Sequence, residues 1–144
     1  MRKVAFLVFA AVFTYALAFG APPAMARDMT ANDLIDETKK NRCEISVSEA
    51  KEVLDKGGHI FLDCREPKEF RMGHIPGAIN IPRRLMEFKV GKKFPDKNVN
   101  ILVYCNVGSR GCLTTCTLCR MGYNNVKNMR GGWKAWEKAG YLIE

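Results

Sequence analysis

Residues 101–111 read Ile-Leu-Val-Tyr-Cys-Asn-Val-Gly-Ser-Arg-Gly, and this stretch decides the fold that we expect. Its apolar beginning predicts a buried strand, the polar residues after Tyr104 predict a short turn, and the stretch from Ser109 to Met121 predicts a helix. Cys105 is therefore expected where a strand ends and a helix begins. Backbone N–H groups converge at such a point, and the helix dipole stabilises a thiolate there. The sequence thus indicates a nucleophilic cysteine in a short loop rather than in the core.

Helical and strand patterns alternate on both sides of this stretch. Ser46 and Glu49 form a capping-box pattern before a helix that Gly57 and Gly58 end. Further strands are predicted over Ile60–Leu62, Ala78–Ile81 and Asn125–Met129. Further helices are predicted over Pro67–Met72, Arg83–Val90 and Trp133–Ala139. This alternation predicts an α/β fold with a central, mostly parallel sheet that helices cover on both faces.

The first 26 residues have the three-part pattern of a secretory signal peptide. Arg2 and Lys3 are basic, residues 4–19 carry no charge, and a small-residue cleavage site ends at Ala26. The uncharged run is shorter than the roughly 20 residues of a membrane-spanning helix, so an uncleaved anchor is the weaker alternative. We expect cleavage after Ala26 and export to the periplasm. The mature chain would have a loose, partly helical extension over 27–44 and one domain over 45–144.

Composition narrows the possible functions. The 144 residues include 23 Lys and Arg and 15 Asp and Glu, a formal net charge of +8. Charges of both signs are interleaved, and no basic cluster alternates with aromatic residues, so nucleic-acid binding has little support. The excess of positive charge favours small anions only weakly. We predict no metal site and no cofactor.

Several blocks of the sequence resemble the rhodanese family in order and spacing. They are Leu62–Phe70, Gly73–Pro82, Tyr104–Arg110, Gly122–Val126 and Gly131–Trp136. The resemblance covers about residues 45 to 143. It implies a rhodanese-like parallel α/β fold and a cysteine that carries sulfur as a persulfide. It also places Asp63 and Arg65 near the active loop, where we expect a supporting role and not proton transfer.

The residues of the loop suit this chemistry. Cys105 would attack the outer sulfur of a small anionic donor such as thiosulfate and would then hold a persulfide anion. The N–H groups that can point inward as a nest belong to Asn106, Val107, Gly108, Ser109 and Arg110. Arg110 adds a positive charge, which either attracts an anionic donor or braces the loop. The expected acceptor is a thiol, cyanide or a sulfur-accepting protein.

Other cysteine chemistries fit less well. Cysteine phosphatases use Cys-x5-Arg, whereas four residues separate Cys105 from Arg110, so this tighter loop suits one sulfur better than a phosphate. The same argument disfavours arsenate reduction. Two alternatives to an enzyme of the rhodanese type stay open: a persulfide carrier that serves a partner protein without free turnover, and a thiol–disulfide oxidoreductase.

The other five cysteines are where the chain departs from the family pattern. They are Cys43, Cys64, Cys112, Cys116 and Cys119. The spacing of the last three copies the iron–sulfur motif of radical enzymes, but all three lie within the predicted helix. The last two form a Cys-x-x-Cys pair, which begins about two turns into that helix and away from its activating N-terminus. We expect packing roles. The alternative is that Cys64 or Cys112 lies close enough to Cys105 to resolve its persulfide or to form a disulfide with it.

Overall fold

The computed structural model describes residues 29–40 and 43–144, in which helices and strands alternate. The strands are β1 (Glu44–Ile45), β2 (Ile60–Asp63), β3 (Ile79–Asn80), β4 (Asn100–Tyr104) and β5 (Asn125–Met129). The helices are α1 (Ala31–Lys40), α2 (Val47–Lys56), α3 (Pro67–Arg71), α4 (Met86–Lys93), α5 (Ser109–Arg120) and α6 (Gly132–Lys138). Within the described ranges no helix is long and apolar enough to cross a membrane. The predicted signal peptide and its cleavage site fall outside them.

All five strands run parallel in one sheet with the order β1-β5-β4-β2-β3. The pairing of β2 with β4 aligns Leu62 with Val103 and Asp63 with Tyr104. Because parallel strands end at the same edge of a sheet, the residues that follow β2 and β4 become direct neighbours. The predicted parallel sheet is confirmed. This edge of the sheet brings together Asp63, Arg65 and Cys105, the residues expected in or near the active loop.

Helices cover both faces of the sheet, as predicted. Leu62, Val103 and Leu118 belong to a core on the side of α4 and α5. Phe61, Leu102 and Trp136 belong to a second core on the side of α2 and α6. Since successive strand residues point to opposite faces, each strand contributes to both cores.

The structure differs from the expectations in the N-terminal region and in some element bounds. The extension was expected to be loose, but α1 packs against α5, and Thr38 is buried with its hydroxyl bonded to the Leu34 carbonyl. The sequence did not predict the two-residue strand β1, which is held by backbone hydrogen bonds to β5. The strand predicted over 78–81 shrinks to β3. The helix predicted over 83–90 becomes a 3-10 turn at Arg83–Leu85 followed by α4.

Candidate active site

Cys105 follows β4 directly and lies just before α5. The N–H of Gly108 donates a hydrogen bond to the Cys105 Sγ at 3.1 Å, and the N–H groups of Val107 and Gly111 also donate to this sulfur. Gly108 caps α5 with a φ of 101°, a conformation that favours glycine. The loop therefore surrounds a single sulfur atom with backbone donors.

These contacts decide the protonation state of the thiol. The hydrogen bond that Cys64 donates is the largest influence on the pKa of Cys105; burial opposes it, and the N–H groups of Gly111, Val107 and Gly108 reinforce it. Together they lower the pKa of Cys105 to about 5. Cys105 is consequently a thiolate at neutral pH, which is the nucleophilic form of cysteine.

Cys105 has no exposed surface and belongs to the core on the side of α5. The expectation of a loop residue outside the core was therefore wrong. The reason is that the alternation of β4 continues for one residue beyond the strand, so the side chain follows Ile101 and Val103 into the interior. A substitution at this position must preserve volume if the fold is to be kept.

Asp63 and Arg65 form a buried ion pair at the same edge of the sheet. Arg65 Nη2 lies 2.7 Å from Asp63 Oδ2, and both side chains are almost fully buried. The same Nη2 donates to the Gly73 carbonyl at 2.7 Å, and the guanidinium lies 4.5 Å from the Trp133 ring centroid. This pair joins the end of β2 to the segment after α3 and to α6. The pair stabilises the segments around the loop. Among the described residues, no hydrogen bond joins either of its side chains to the Cys105 sulfur.

Arg110 reaches across to α3. Its guanidinium contacts the Glu69 carboxylate at 3.2 and 3.4 Å. Burial tends to raise the pKa of Glu69, but the hydrogen bond from Arg110 holds it below its usual value. The charge of Arg110 is therefore shared with a carboxylate at the edge of the site. Sequence reasoning missed Glu69, because nothing in its local sequence points to a residue 41 positions away.

The beginning of α6 holds the loop from the other side. The N–H of Trp133 donates to the Cys105 carbonyl at 2.7 Å, and the N–H of Lys134 donates to the Asn106 carbonyl at 3.0 Å. Gly132 makes this approach possible, since it has a φ of 59° and a Cβ there would overlap the Cys105 carbonyl oxygen. In the sequence, Gly132 comes directly before the predicted helix over Trp133–Ala139, and no local pattern indicates its contact with the loop.

A cleft of about 200 Å³ opens beside the loop. Its lining includes Arg65, Glu69, Met72, Asn106, Trp133 and Ile143. Met72 is 79% exposed, and Val107, the loop residue next to Asn106, is 55% exposed. The mouth of the site therefore combines charged groups with an apolar rim.

The remaining cysteines fall into different environments. Cys64 is buried beside Cys105. Cys112 donates from Sγ to Glu44 Oε1 at 3.0 Å and accepts from Asn128 Nδ2 at 3.1 Å. Cys43, Cys116 and Cys119 line a separate pocket of about 250 Å³ between α1 and α5. Among residues 29–40 and 43–144, no three Cys, His, Asp or Glu side chains are arranged to hold a metal ion.

Comparison with known proteins shows the family. A family model described as a rhodanese-like domain matches residues 46–139. The chain is 37% identical over 106 residues to the chloroplastic thiosulfate sulfurtransferase 16 of Arabidopsis thaliana, covering 67% of this chain and 88% of the relative. It is 37% identical over 71 residues to the thiosulfate sulfurtransferase PspE of Escherichia coli, covering 49% of this chain and 68% of the relative.

A solved structure from Rhodopseudomonas palustris, of a protein of unknown function described as a possible tyrosine phosphatase, superposes with a TM-score of 0.74. It is 26% identical, and the match covers 87% of this chain and all of that one.

Proposed function

Because the chain belongs to the rhodanese family and is a thiosulfate sulfurtransferase-like enzyme, we propose that it moves sulfane sulfur through a persulfide on Cys105. One observation carries this proposal: the N–H groups of Val107, Gly108 and Gly111 donate to the buried sulfur of Cys105, and these contacts help to lower its pKa to about 5. The proposed donors are thiosulfate, polysulfides or persulfides. Export to the periplasm, with cleavage after Ala26, is part of the proposal and rests on the sequence of residues 1–26 alone.

The proposed reaction has two half-reactions. The Cys105 thiolate attacks the outer sulfur of thiosulfate, the S–S bond of the donor breaks, and sulfite leaves with the electron pair. The negative charge then lies on the outer sulfur of Cys105–S–S⁻, where the N–H groups of the loop stabilise it. A nucleophilic acceptor such as cyanide next attacks this outer sulfur, and the Cys105 thiolate leaves unchanged.

The same geometry suggests how the site excludes water. Cys105 has no exposed surface, so a donor reaches the sulfur only after a local movement of the residues around it. The adjacent cleft lies beside Asn106 and gives an anionic donor a path past Arg65. Glu69 and the apolar rim at Met72 limit which donors and acceptors enter.

Steady-state turnover of thiosulfate with cyanide tests the proposal, and its pH dependence gives the sharpest readout. In a two-step mechanism, kcat/KM for thiosulfate reports the first half-reaction. Since only the thiolate reacts and the pKa of Cys105 is lowered to about 5, kcat/KM should be constant above pH ~6 and fall tenfold per pH unit below pH ~5. An acidic limb near pH 8–9, the range of an ordinary thiol, would contradict an ionised Cys105.

A protein acceptor is the second candidate function, favoured by the apolar rim at Met72 and Val107. Such a carrier would take up sulfur from thiosulfate but would turn over slowly with cyanide. A persulfide seen by intact mass, without steady-state production of thiocyanate, would identify the carrier. Insulin reduction tests the less favoured oxidoreductase, whose Cys116-x-x-Cys119 pair lies in the interior of α5, away from the activating N-terminus.

Arg110→Ala should lower kcat/KM for thiosulfate more than for an uncharged organic trisulfide, a neutral polysulfide donor. A charge-assisted contact is worth roughly 1.5–3 kcal/mol, which corresponds to a loss of about ten- to a hundredfold. Glu69→Gln should act in the opposite direction, because it frees the Arg110 charge for the donor. Arg84→Ala is the matched control, since Arg84 also contacts a glutamate but is well exposed.

The comparison of the two donors separates the possible roles of Arg110. Equal losses with thiosulfate and with the neutral donor would mean that Arg110 only braces the loop through Glu69. In that case Glu69→Gln should reduce kcat/KM as well.

A further inference from the structure

The parallel register sets Cys64 directly beside Cys105. Asp63 pairs with Tyr104, and the N–H of Cys64 donates to the Tyr104 carbonyl at 2.9 Å, so the ladder between the two strands extends to these cysteines. Neighbouring strands lie about 4.8 Å apart. That spacing falls within the Cα separation of about 4.4–6.8 Å that a disulfide requires.

The two side chains also point in the same direction. Cys64 and Cys105 belong to the same buried core, and the Cys64 thiol donates a hydrogen bond to the Cys105 sulfur. The backbone donors of Val107, Gly108 and Gly111 contact the Cys105 sulfur from the loop. Cys64 approaches the same atom from the neighbouring strand. Both residues are thiols in this structure, not a disulfide.

We propose that Cys64 is a resolving thiol, which displaces the outer sulfur of the Cys105 persulfide as hydrosulfide and leaves a Cys64–Cys105 disulfide. The inference rests on the proposed function, since it requires that Cys105 becomes loaded with sulfur. It adds a second outcome to that function: the enzyme releases sulfide when no acceptor takes the sulfur.

The step balances without an external oxidant. The Cys64 sulfur attacks the Cys105 Sγ, the bond between Sγ and the outer sulfur breaks, and its electron pair goes to the outer sulfur. The proton of Cys64 ends on that sulfur, which leaves as HS⁻. The two cysteine sulfurs are oxidised by two electrons in total, and the sulfane sulfur is reduced to sulfide. A dithiol reductant, by ordinary thiol–disulfide exchange, returns the pair to its starting state.

Loading of Cys105 is what makes Cys64 reactive. In the resting enzyme the hydrogen bond to the Cys105 thiolate, together with burial and the negative charge of that thiolate, raises the pKa of Cys64 far above its usual value. Cys64 therefore stays protonated. In the persulfide the negative charge moves from Sγ of Cys105 to the outer sulfur. The hydrogen bond to Sγ and the charge on Sγ then raise the pKa of Cys64 less. At the same time Sγ becomes an electrophile that Cys64 can attack.

The sequence also suggested Cys112 as a partner thiol for Cys105, but its hydrogen bonds join it to other residues. Its sulfur is held between Glu44 and Asn128, and burial raises its pKa to about 12. A substitution of Cys112 thus removes a buried thiol close to the loop without removing the partner of Cys105. Cys112→Ser is the matched control.

The test is a single turnover of the reduced, full chain with thiosulfate and no acceptor. The wild-type protein should release close to one sulfide per chain and lose about 2 Da, the mass of two hydrogens, as the disulfide forms. Cys64→Ser keeps a hydrogen-bond donor but cannot form a disulfide. It should gain about 32 Da as a stable persulfide, release at least tenfold less sulfide, and still transfer its sulfur to cyanide. Cys112→Ser should behave as the wild type.

The outcomes distinguish this inference from the proposed function. A wild-type persulfide that persists without sulfide release, or equal sulfide release from Cys64→Ser, overturns the role of Cys64 and leaves sulfur transfer intact. A wild-type protein that gains no sulfur, forms no disulfide and makes no thiocyanate overturns both. If Cys64→Ser does not fold, Cys64→Thr places a branched side chain that keeps a hydroxyl donor in the same buried site and answers the same question.

Discussion

Replacing Cys105 with serine should reduce sulfur transfer to background, a loss of more than about a thousandfold in kcat/KM. The physical reason is that the loop stabilises a thiolate, whereas a serine hydroxyl stays protonated at neutral pH and reacts poorly with sulfane sulfur. The backbone donors would then point at a neutral oxygen. Thiocyanate production from thiosulfate and cyanide measures the loss, and intact mass should show no added sulfur.

The buried position of Cys105 determines how this variant must be controlled. Serine nearly preserves the volume of cysteine, and its oxygen can accept the hydrogen bond of Gly108, so unfolding in urea should change by no more than about 1–2 kcal/mol. Cys112→Ser again serves as the control, since it replaces another buried thiol at no expected cost in turnover. Retention of more than a few per cent of activity in Cys105→Ser would refute the assignment of the nucleophile.

Local sequence patterns were sufficient to predict the fold and the loop. Apolar runs such as Ile101–Val103 identify strands, and the turn that follows places Cys105 between a strand and a helix. The sequence also left open that Cys64 lies close to Cys105, and the pairing of β2 with β4 places these two cysteines on neighbouring strands of the parallel sheet. These predictions succeed because each depends on contiguous residues or on a rule that holds for parallel sheets in general.

Contacts between distant segments were not predictable in the same way. The ion pair between Glu69 and Arg110 joins two helices, and the contact of Trp133 with the Cys105 carbonyl joins a helix to a loop 28 residues earlier. Polar α1 gave no sign that it packs against α5, because only a narrow part of its surface, around Thr38, is buried. Such contacts depend on how complete helices, strands and loops pack against one another, and local patterns in a single sequence do not indicate this packing.

The contact between α6 and the loop gives the second large prediction. Gly132→Ala should lower kcat/KM for thiosulfate by about a hundredfold, since a shift of about 1 Å in a catalytic group commonly has an effect of this size. The added Cβ would overlap the Cys105 carbonyl oxygen and would come within 2.9 Å of the Asn106 carbonyl group. The loop must move to relieve these contacts, and its N–H groups then no longer converge on the sulfur.

Gly140→Ala separates loop displacement from ordinary backbone strain. Gly140 has a φ of 70°, close to the 59° of Gly132, but a Cβ there meets nothing within 4 Å. Both variants should therefore lose a similar roughly 1 kcal/mol from the strained conformation, while only Gly132→Ala loses activity. A displaced loop also stabilises the thiolate less well, so the acidic limb of kcat/KM in Gly132→Ala should move to higher pH. Equal kcat/KM values for the two variants, with an unchanged pH profile, would show that the beginning of α6 does not position the loop.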